Sequence, residues 1–265
     1  DANGITGSWN SETGVLTLTG SATKAAYASA LENATYQNTN SDNPNTNSRV
    51  IVARVNDGTA SSNGAASLLI VVNAVNDAPV IVGAGGTLSF TEDGAAAIID
   101  NSLSLSDVDD TNIEGATITI SSGYVASEDV LAFTDAGNIT GSWDPSAGAL
   151  TLSGSATKAV YEAALETVTY RNTNSDDPNT SNRTVTWTVN DGSVNSSAAS
   201  STVTITAVNT APVIEGADGE LFFIEDGAAT VVDNDFALTD IDDTNIEGAT
   251  ITISSGYVPT EDVLA

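Results

Sequence analysis

The stretch AVNDAPVI at 74–81 returns as AVNTAPVI at 207–214, which places Pro79 and Pro212 133 residues apart. DVDDTNIEGATITISSGY at 107–124 recurs at 240–257 with one change, Val108 to Ile241. ITGSW occurs at 5–9 and 139–143, and LTLTGSATKAAY at 16–27 matches LTLSGSATKAVY at 150–161. Solenoid units run to roughly 20–50 residues, so a period this long is that of a whole domain repeated in tandem. The expected organisation is a C-terminal part of one repeat at 1–77, a complete repeat at 78–210 and an N-terminal part of a third at 211–265. Ala265 aligns with Ala132 and Asp1 with Asp135. Two origins are expected for such ends: a window on a longer array, or subunits that complete each other head to tail into a filament. With no methionine and no signal peptide, the chain reads as a piece of something longer.

Charge narrows the partners. Thirty-five Asp and Glu stand against six Lys and Arg, for a formal net charge of −29. Such a chain repels nucleic acid and anionic membrane surfaces, and it attracts divalent cations. No apolar run approaches the ~20 residues of a membrane span. High charge is also a mark of disorder, but 40% hydrophobic residues and a regular Val/Ile/Thr alternation point to a folded chain. Catalysis lacks its parts. There is no histidine and no cysteine, so nucleophile–histidine systems and ordinary zinc sites cannot be built. A carboxylate pair for glycoside hydrolysis could be drawn from the acids, yet they recur in register from repeat to repeat, which suits structural sites. The chain carries no phosphate-binding glycine loop. The expectation is not an enzyme.

Within the complete repeat, VIVGAGGTLSF (80–90) reads as a strand interrupted by a glycine bulge. TEDG turns the chain, and AIIDNSLSLSD brings it back. ATITIS is a period-two strand, and ITGSW with LTLSG forms a hairpin. SATKAVYEAALETV (155–168) is the helical stretch, capped by Ser155 or Thr157. TVTWTVND and STVTITAV complete an all-β fold: tandem immunoglobulin-like or cadherin-like β-sandwich repeats with one short helix each.

Length arithmetic then places the acids. Thirteen residues of strand from Pro79 to Glu92 span roughly 43 Å, about the height of a sandwich. Glu92 therefore belongs at the far end, beside Asn209 and facing Asp240 and Asp242 of the next repeat. The returning stretch brings Asp107 and Asp109 back to the near end, with Asp191, beside Asn76 and Asp77 of the linker. Asp57 is the first-repeat counterpart of Asp191 and joins the candidate ligands. Taken singly, EDG and DVDD serve equally as solvated turns. Taken together, crowded carboxylates call for a cation, and flexible hard oxygen ligands suit Ca²⁺ better than Mg²⁺.

AVNDAPVI resembles the linker motif of cadherin repeats. TVNDG at 188–192 resembles the strand ending in a calcium-binding aspartate, and DVD at 107–109 resembles the cadherin Asp-x-Asp motif. The GSAT…YxxAL…VTYxNTN block is similar to bacterial cadherin-like repeats of large surface adhesins, related to chondroitin sulfate proteoglycan repeats. The resemblance implies Ca²⁺ between repeats and an extracellular or cell-surface stalk, adhesin or fibre. Its departures are Ala74 and Ala207 at the first Asp of the motif, Thr210 in place of Asp77, and no Leu-Asp-Arg-Glu match. These imply one or two ions per joint and a weaker joint at Asn209. Expected partners are neighbouring repeats and, head to tail, further copies. A carbohydrate-binding module acting through the polar loop 172–183 or a Trp-bearing face is the alternative. Trp9 and Trp143 read as core packing. Lys24 and Lys158, the only lysines, read as surface residues of the helical stretch.

Overall fold

The computed structural model describes residues 4–216 and 219–265, which divide after Val75 into two compact units. The first unit contains two hairpins. β1 (Thr6–Asn10) pairs antiparallel with β2 (Val15–Thr19), helix α1 (Lys24–Glu32) follows, and β3 (Arg49–Ala53) pairs antiparallel with β4 (Ala66–Ile70). The Thr23 hydroxyl caps α1 by accepting from Ala26 N at 3.2 Å. The two hairpins remain separate two-stranded sheets.

The second unit begins with a complete sandwich. Its strands are β5 (Val80–Val82), β6 (Thr87–Thr91), β7 (Ala97–Ile98), β8 (Ser104–Ser106), β9 (Asn112–Ser122), β10 (Asp129–Ala132), β11 (Thr140–Asp144) and β12 (Ala149–Thr157). Helix α2 (Lys158–Leu165) precedes β13 (Thr169–Asn172), β14 (Arg183–Asn190) and β15 (Ala199–Thr206). One layer is a six-stranded sheet in the order β11-β12-β9-β14-β15-β6, antiparallel except for the parallel β15–β6 edge. Opposite lie the three-stranded β10-β13-β7 sheet and the β5-β8 pair. The period-two pattern does what it should: β14 buries Arg183, Val185, Trp187 and Val189 in alternation, and β9 buries Ile113, Ala116, Ile118 and Ile120. Phe90 and Tyr170 join the layers edge to face, their centroids 5.3 Å apart.

Three stretches differ from the sequence expectation. The 80–90 strand is two strands in different sheets: β5 pairs with β8, and β6 pairs with β15. Gly83 and Gly85, at φ of +82° and +130°, let the chain change layers, and a Cβ on Gly83 would sit 2.0 Å from the Ser102 carbonyl oxygen. The returning stretch is likewise broken between β7 and β8 by Asp100. Its carboxylate accepts from Gly86 N, Ser102 N, Ser102 Oγ and Ser201 Oγ, which staples the break to both layers. The helical stretch also starts later than 155, because residues 155–157 finish β12 and reach β9. Tyr161, Ala164 and Leu165 are the buried face of α2. The Tyr161 hydroxyl donates to Gly154 O at 2.5 Å, as Tyr27 does to Gly20 O at 2.6 Å in the first unit.

Beyond the sandwich, β16 (Val213–Glu215) pairs antiparallel with β17 (Ala237–Thr239), repeating the β5–β8 pairing. The ATITIS copy at 249–254 is unpaired, although the same six residues at 116–121 lie within β9. Ile118 is fully buried and its copy Ile251 is 65% exposed. Identical sequence takes strand form only where neighbouring strands supply hydrogen bonds and a face to bury.

Candidate metal centres at the linkers

The linker and the DVDD loop meet where the length arithmetic put them. Asn76 donates its side-chain amide to Asp191 Oδ2 at 2.9 Å, and Asp77 N donates to Asp109 Oδ2 at 3.1 Å. Within the loop, Asp109 N and Asp110 N both donate to Asp107 Oδ1, an Asx turn that folds the acids onto one another. Ser193 N and Val194 N hold Asp191 Oδ1 at 2.6 and 2.8 Å. One carboxylate oxygen from each of Asp107, Asp110 and Asp191 lies within 4.8 Å of the others.

Electrostatics register the crowding. Partial burial, then repulsion from Asp107, Asp109 and Asp191, push the Asp110 carboxyl up against the pull of Lys158. Burial alone would raise Asp191, but the bonds from Asn76, Val194 and Ser193 outweigh it and hold its carboxyl below the usual range. Lys158 is not the free surface lysine expected from sequence. Its ammonium donates to the backbone carbonyls of Asp107, at 2.9 Å, and of Asp110, clamping the loop from the first turn of α2.

The second linker repeats this geometry. Thr210 N donates to Asp242 Oδ2 at 2.7 Å, and Asp242 N and Asp243 N donate to Asp240 Oδ1. Asp240, Asp242 and Asp243 again bring carboxylate oxygens within 4.8 Å of one another. Thr210 thus supplies the backbone donor that Asp77 supplies at the first linker. Glu92, at the end of β6, accepts from Val208 N at 2.6 Å. Its carboxylate and that of Asp242 therefore hang from backbone amides two residues apart. Asn209 turns its amide onto Thr210 O. Asp57 lies in the first unit. It forms its own turn with Thr59 and Ala60, and the Ala60 and Thr59 amides lower its carboxyl to about 2.

Among the described residues, the buried side-chain oxygens left without a hydrogen-bond partner are Glu92 Oε1, Asp107 Oδ2, Asp109 Oδ1 and Asp242 Oδ1. All four belong to these two groups. A buried, unpaired carboxylate oxygen carries a desolvation penalty that a cation would offset. Sequence reasoning passed over Asp110 and Asp243, reading DVD as the unit. The fourth residue of DVDD and of DIDD was the available signal.

Sequence also missed a charged cluster at the other side of the core. Arg183 is fully buried on β14. Its Nε lies 3.0 Å from Asp129 Oδ2 and its Nη2 3.4 Å from Glu128 Oε2, while Nη1 donates to the Asn179 and Ser181 carbonyls. Asp129 also accepts from the Tyr170 hydroxyl at 2.6 Å, and Asn172 donates to Glu128. The loop 173–182 is thereby drawn onto the core, leaving a polar cleft of about 450 Å³ lined by Glu128 and residues 177–181. Burial opposes ionisation of Glu128 and Asp100, but the Asn172, Asn174, Asn179 and Arg183 contacts at Glu128, and the Ser102, Ser201 and Gly86 bonds at Asp100, win and lower both carboxyls. A lowered folded-state pKa contributes stability above the unfolded value and loses it as pH falls through the folded one. The reference values are 4.5 and 3.8. Thermal melting of the central repeat is expected to hold its midpoint down to about pH 5 and to drop below about pH 4. Asp100→Asn, melted in parallel, flattens that acid limb.

Fold and site together define an all-β chain with an acidic centre where each linker meets the Asp-x-Asp-Asp loop that follows it. No known family profile matches the chain. Over 101 residues, 36% of its length, the chain is 36% identical to Halomucin of Haloquadratum walsbyi (strain DSM 16790 / HBSQ001). The matched part is 1% of that protein, which is therefore very much longer than this chain.

Proposed function

We propose that the chain is a segment of a large extracellular or cell-surface protein, built from tandem cadherin-like β-sandwich repeats. Ca²⁺ held at each linker stiffens the array into a stalk or fibre. The reading has the chain as a mechanical element and not an enzyme. The observation that carries it is the set of four orphaned carboxylate oxygens, every one at a linker. Asn76, Asp77, Asp107, Asp109, Asp110 and Asp191 offer oxygens at the first linker, and Glu92, Asn209, Asp240, Asp242 and Asp243 at the second. Ca²⁺ accepts six to eight such ligands in irregular geometry at about 2.3–2.6 Å, whereas Mg²⁺ demands a strict octahedron. Each centre uses the linker together with the Asp-x-Asp-Asp loop beyond it, so a bound ion fixes the direction in which the chain enters the next sandwich. The partial likeness to a far longer protein agrees with a segment of a long array.

Small-angle scattering on a chain with two complete repeats tests this, first with Ca²⁺ and then with excess chelator. The expected result is a rod that becomes flexible on chelation, with Asp109→Asn and Asp242→Asn reproducing the chelated profile at their own linkers. Unchanged profiles and melting would leave the acidic loops as solvated turns and sink the calcium reading. Glycan recognition rests on the polar cleft under loop 173–182. That cleft has no aromatic among its lining residues, and the stalk reading is preferred.

A further inference from the structure

Helix α2 grips the Asp-x-Asp-Asp loop of the first linker at its centre and on both flanks. Before the loop, Glu162 Oε1 accepts from Leu105 N on β8 at 2.9 Å. Inside it, the Lys158 ammonium donates to Asp107 O at 2.9 Å and to Asp110 O. Beyond it, Lys158 N donates to Thr111 O at 3.3 Å, and the end of β12 pairs Ala156 and Thr157 with Ile113 and Asn112 on β9. Lys158 and Glu162 stand about one helical turn apart, so they share a face of α2. The neighbouring Tyr161, Ala164 and Leu165 are buried in the core.

These bonds fix what the loop's own turn leaves free. The Asx turn uses Asp107 Oδ1, which accepts from Asp109 N and Asp110 N. The carbonyls held by Lys158 belong to the first and last residues of that turn, so its whole frame is set against α2. Asp107 Oδ2 and Asp109 Oδ1 are left buried and unpaired, while Asp109 Oδ2 accepts from Asp77 N of the linker. Linker, loop, helix and core thus form one continuous series of contacts. Carboxylates crowded in this way repel, and a loop held by local turns alone would splay to separate them. The half-buried ammonium on its carbonyls opposes that splaying.

We infer that α2 preassembles the first calcium centre, with Lys158 and Glu162 as positioning residues that hold the loop in its ligating shape before an ion arrives. On the calcium reading of the linkers, on which this rests, part of the affinity at the first centre comes from the helix. Neither side chain is a ligand: Lys158 is itself a cation, and Glu162 is engaged by the β8 amide. They act as the outer partners of a metal site do, by orienting the groups that touch the ion. The sign of the effect separates this role from a simpler one. As a plain countercharge Lys158 repels Ca²⁺, and its removal would tighten binding. As a brace, its removal weakens binding.

Two measurements on the full chain test it. The first is amide hydrogen exchange in chelator. Lys158→Met is expected to speed exchange at Asp109 and Asp110 by about tenfold, while the β9 and β14 amides keep their protection. The second is Ca²⁺ titration calorimetry in an Asp242→Asn background, which leaves the first centre to be read alone. There Lys158→Met is expected to lower the affinity about 10–100-fold. Glu162→Ala lowers it too, whereas Glu162→Gln, equally uncharged but still an acceptor for Leu105 N, binds more tightly than the alanine variant. The near-ultraviolet signal of buried Trp187 reports that the sandwich stays folded in each. Unchanged exchange at Asp109 and Asp110, tighter Ca²⁺ binding by Lys158→Met, or equal losses in the two Glu162 variants would overturn the proposal. Absence of Ca²⁺ binding with Lys158 and Glu162 in place sinks the calcium reading instead, and exchange at Asp109 and Asp110 then decides alone whether α2 sets the loop.

Discussion

Arg183→Met is expected to cost the central repeat about 3–5 kcal/mol, the range for breaking a buried ion pair from one side. Arg183 is fully buried and faces two acids, of which Asp129 is 1% exposed. Removing the guanidinium leaves Asp129 with its Tyr170 and Val125 donors and no countercharge. It also frees the Asn179 and Ser181 carbonyls, so the loop 173–182 loses the anchor that folds it down. The melting midpoint should fall by on the order of 10–20 °C. Arg183→Met/Asp129→Asn should recover part of the loss, because the uncompensated charge is then gone. A drop of only a degree or two, or no recovery in the double variant, would mean that the loop is held by its own Asx turns at Asn172, Asn174 and Asn179.

Sheet membership was legible where alternation was strong. TVTWTVND and ATITIS became β14 and β9, because one face of each is continuous with the core. The strand-length argument also put Asp109 and Asp191 beside the first linker, where the structure has them, although the strand it counted along is two strands in different sheets. Layer exchange at Gly83–Gly86 was not legible, because a glycine bulge and a change of sheet share one sequence signature. The role of Asp100 was hidden too: it is a polar residue within an apolar stretch, and its partners Gly86 and Ser201 lie 14 and 101 residues away. Arg183 was overlooked for the same reason. A single arginine in a strand of alternating Thr and Val gives no local sign that Glu128 and Asp129 wait in the opposite layer. Lys158 looked like a helix surface residue because its acceptors are backbone carbonyls, which every sequence has. The unpaired copy at 249–254 marks the limit of pattern reading, since the same letters give a central strand or an open segment according to what lies beside them.

Trp187→Ala should also destabilise the central repeat by about 3–5 kcal/mol, although the preceding repeat carries Ala53 at the equivalent position. Trp187 is fully buried in the six-stranded sheet, packed opposite Ile118 on β9 and Ala199 on β15. Its indole N–H donates to Ser201 Oγ at 3.0 Å, and Ser201 in turn donates to Asp100 Oδ2 at 2.7 Å. Truncation therefore opens a cavity and removes the donor that orients a chain of bonds ending on a buried carboxylate. Trp187→Phe keeps much of the volume and loses only the N–H, so it should cost closer to about 1 kcal/mol. Denaturant melts with equal slopes would show that the losses arise in the folded state. The β14 partner equivalent to Ala199 is Ala66 in the first unit, so small residues face each other there, Ala53 against Ala66. If Trp187→Ala proved nearly neutral, the core around β9 would have to tolerate the small pair without repacking. The expected large loss instead means that each repeat is tuned around its own central side chain, and that exchanging segments between repeats preserves the pairing register while spoiling the packing.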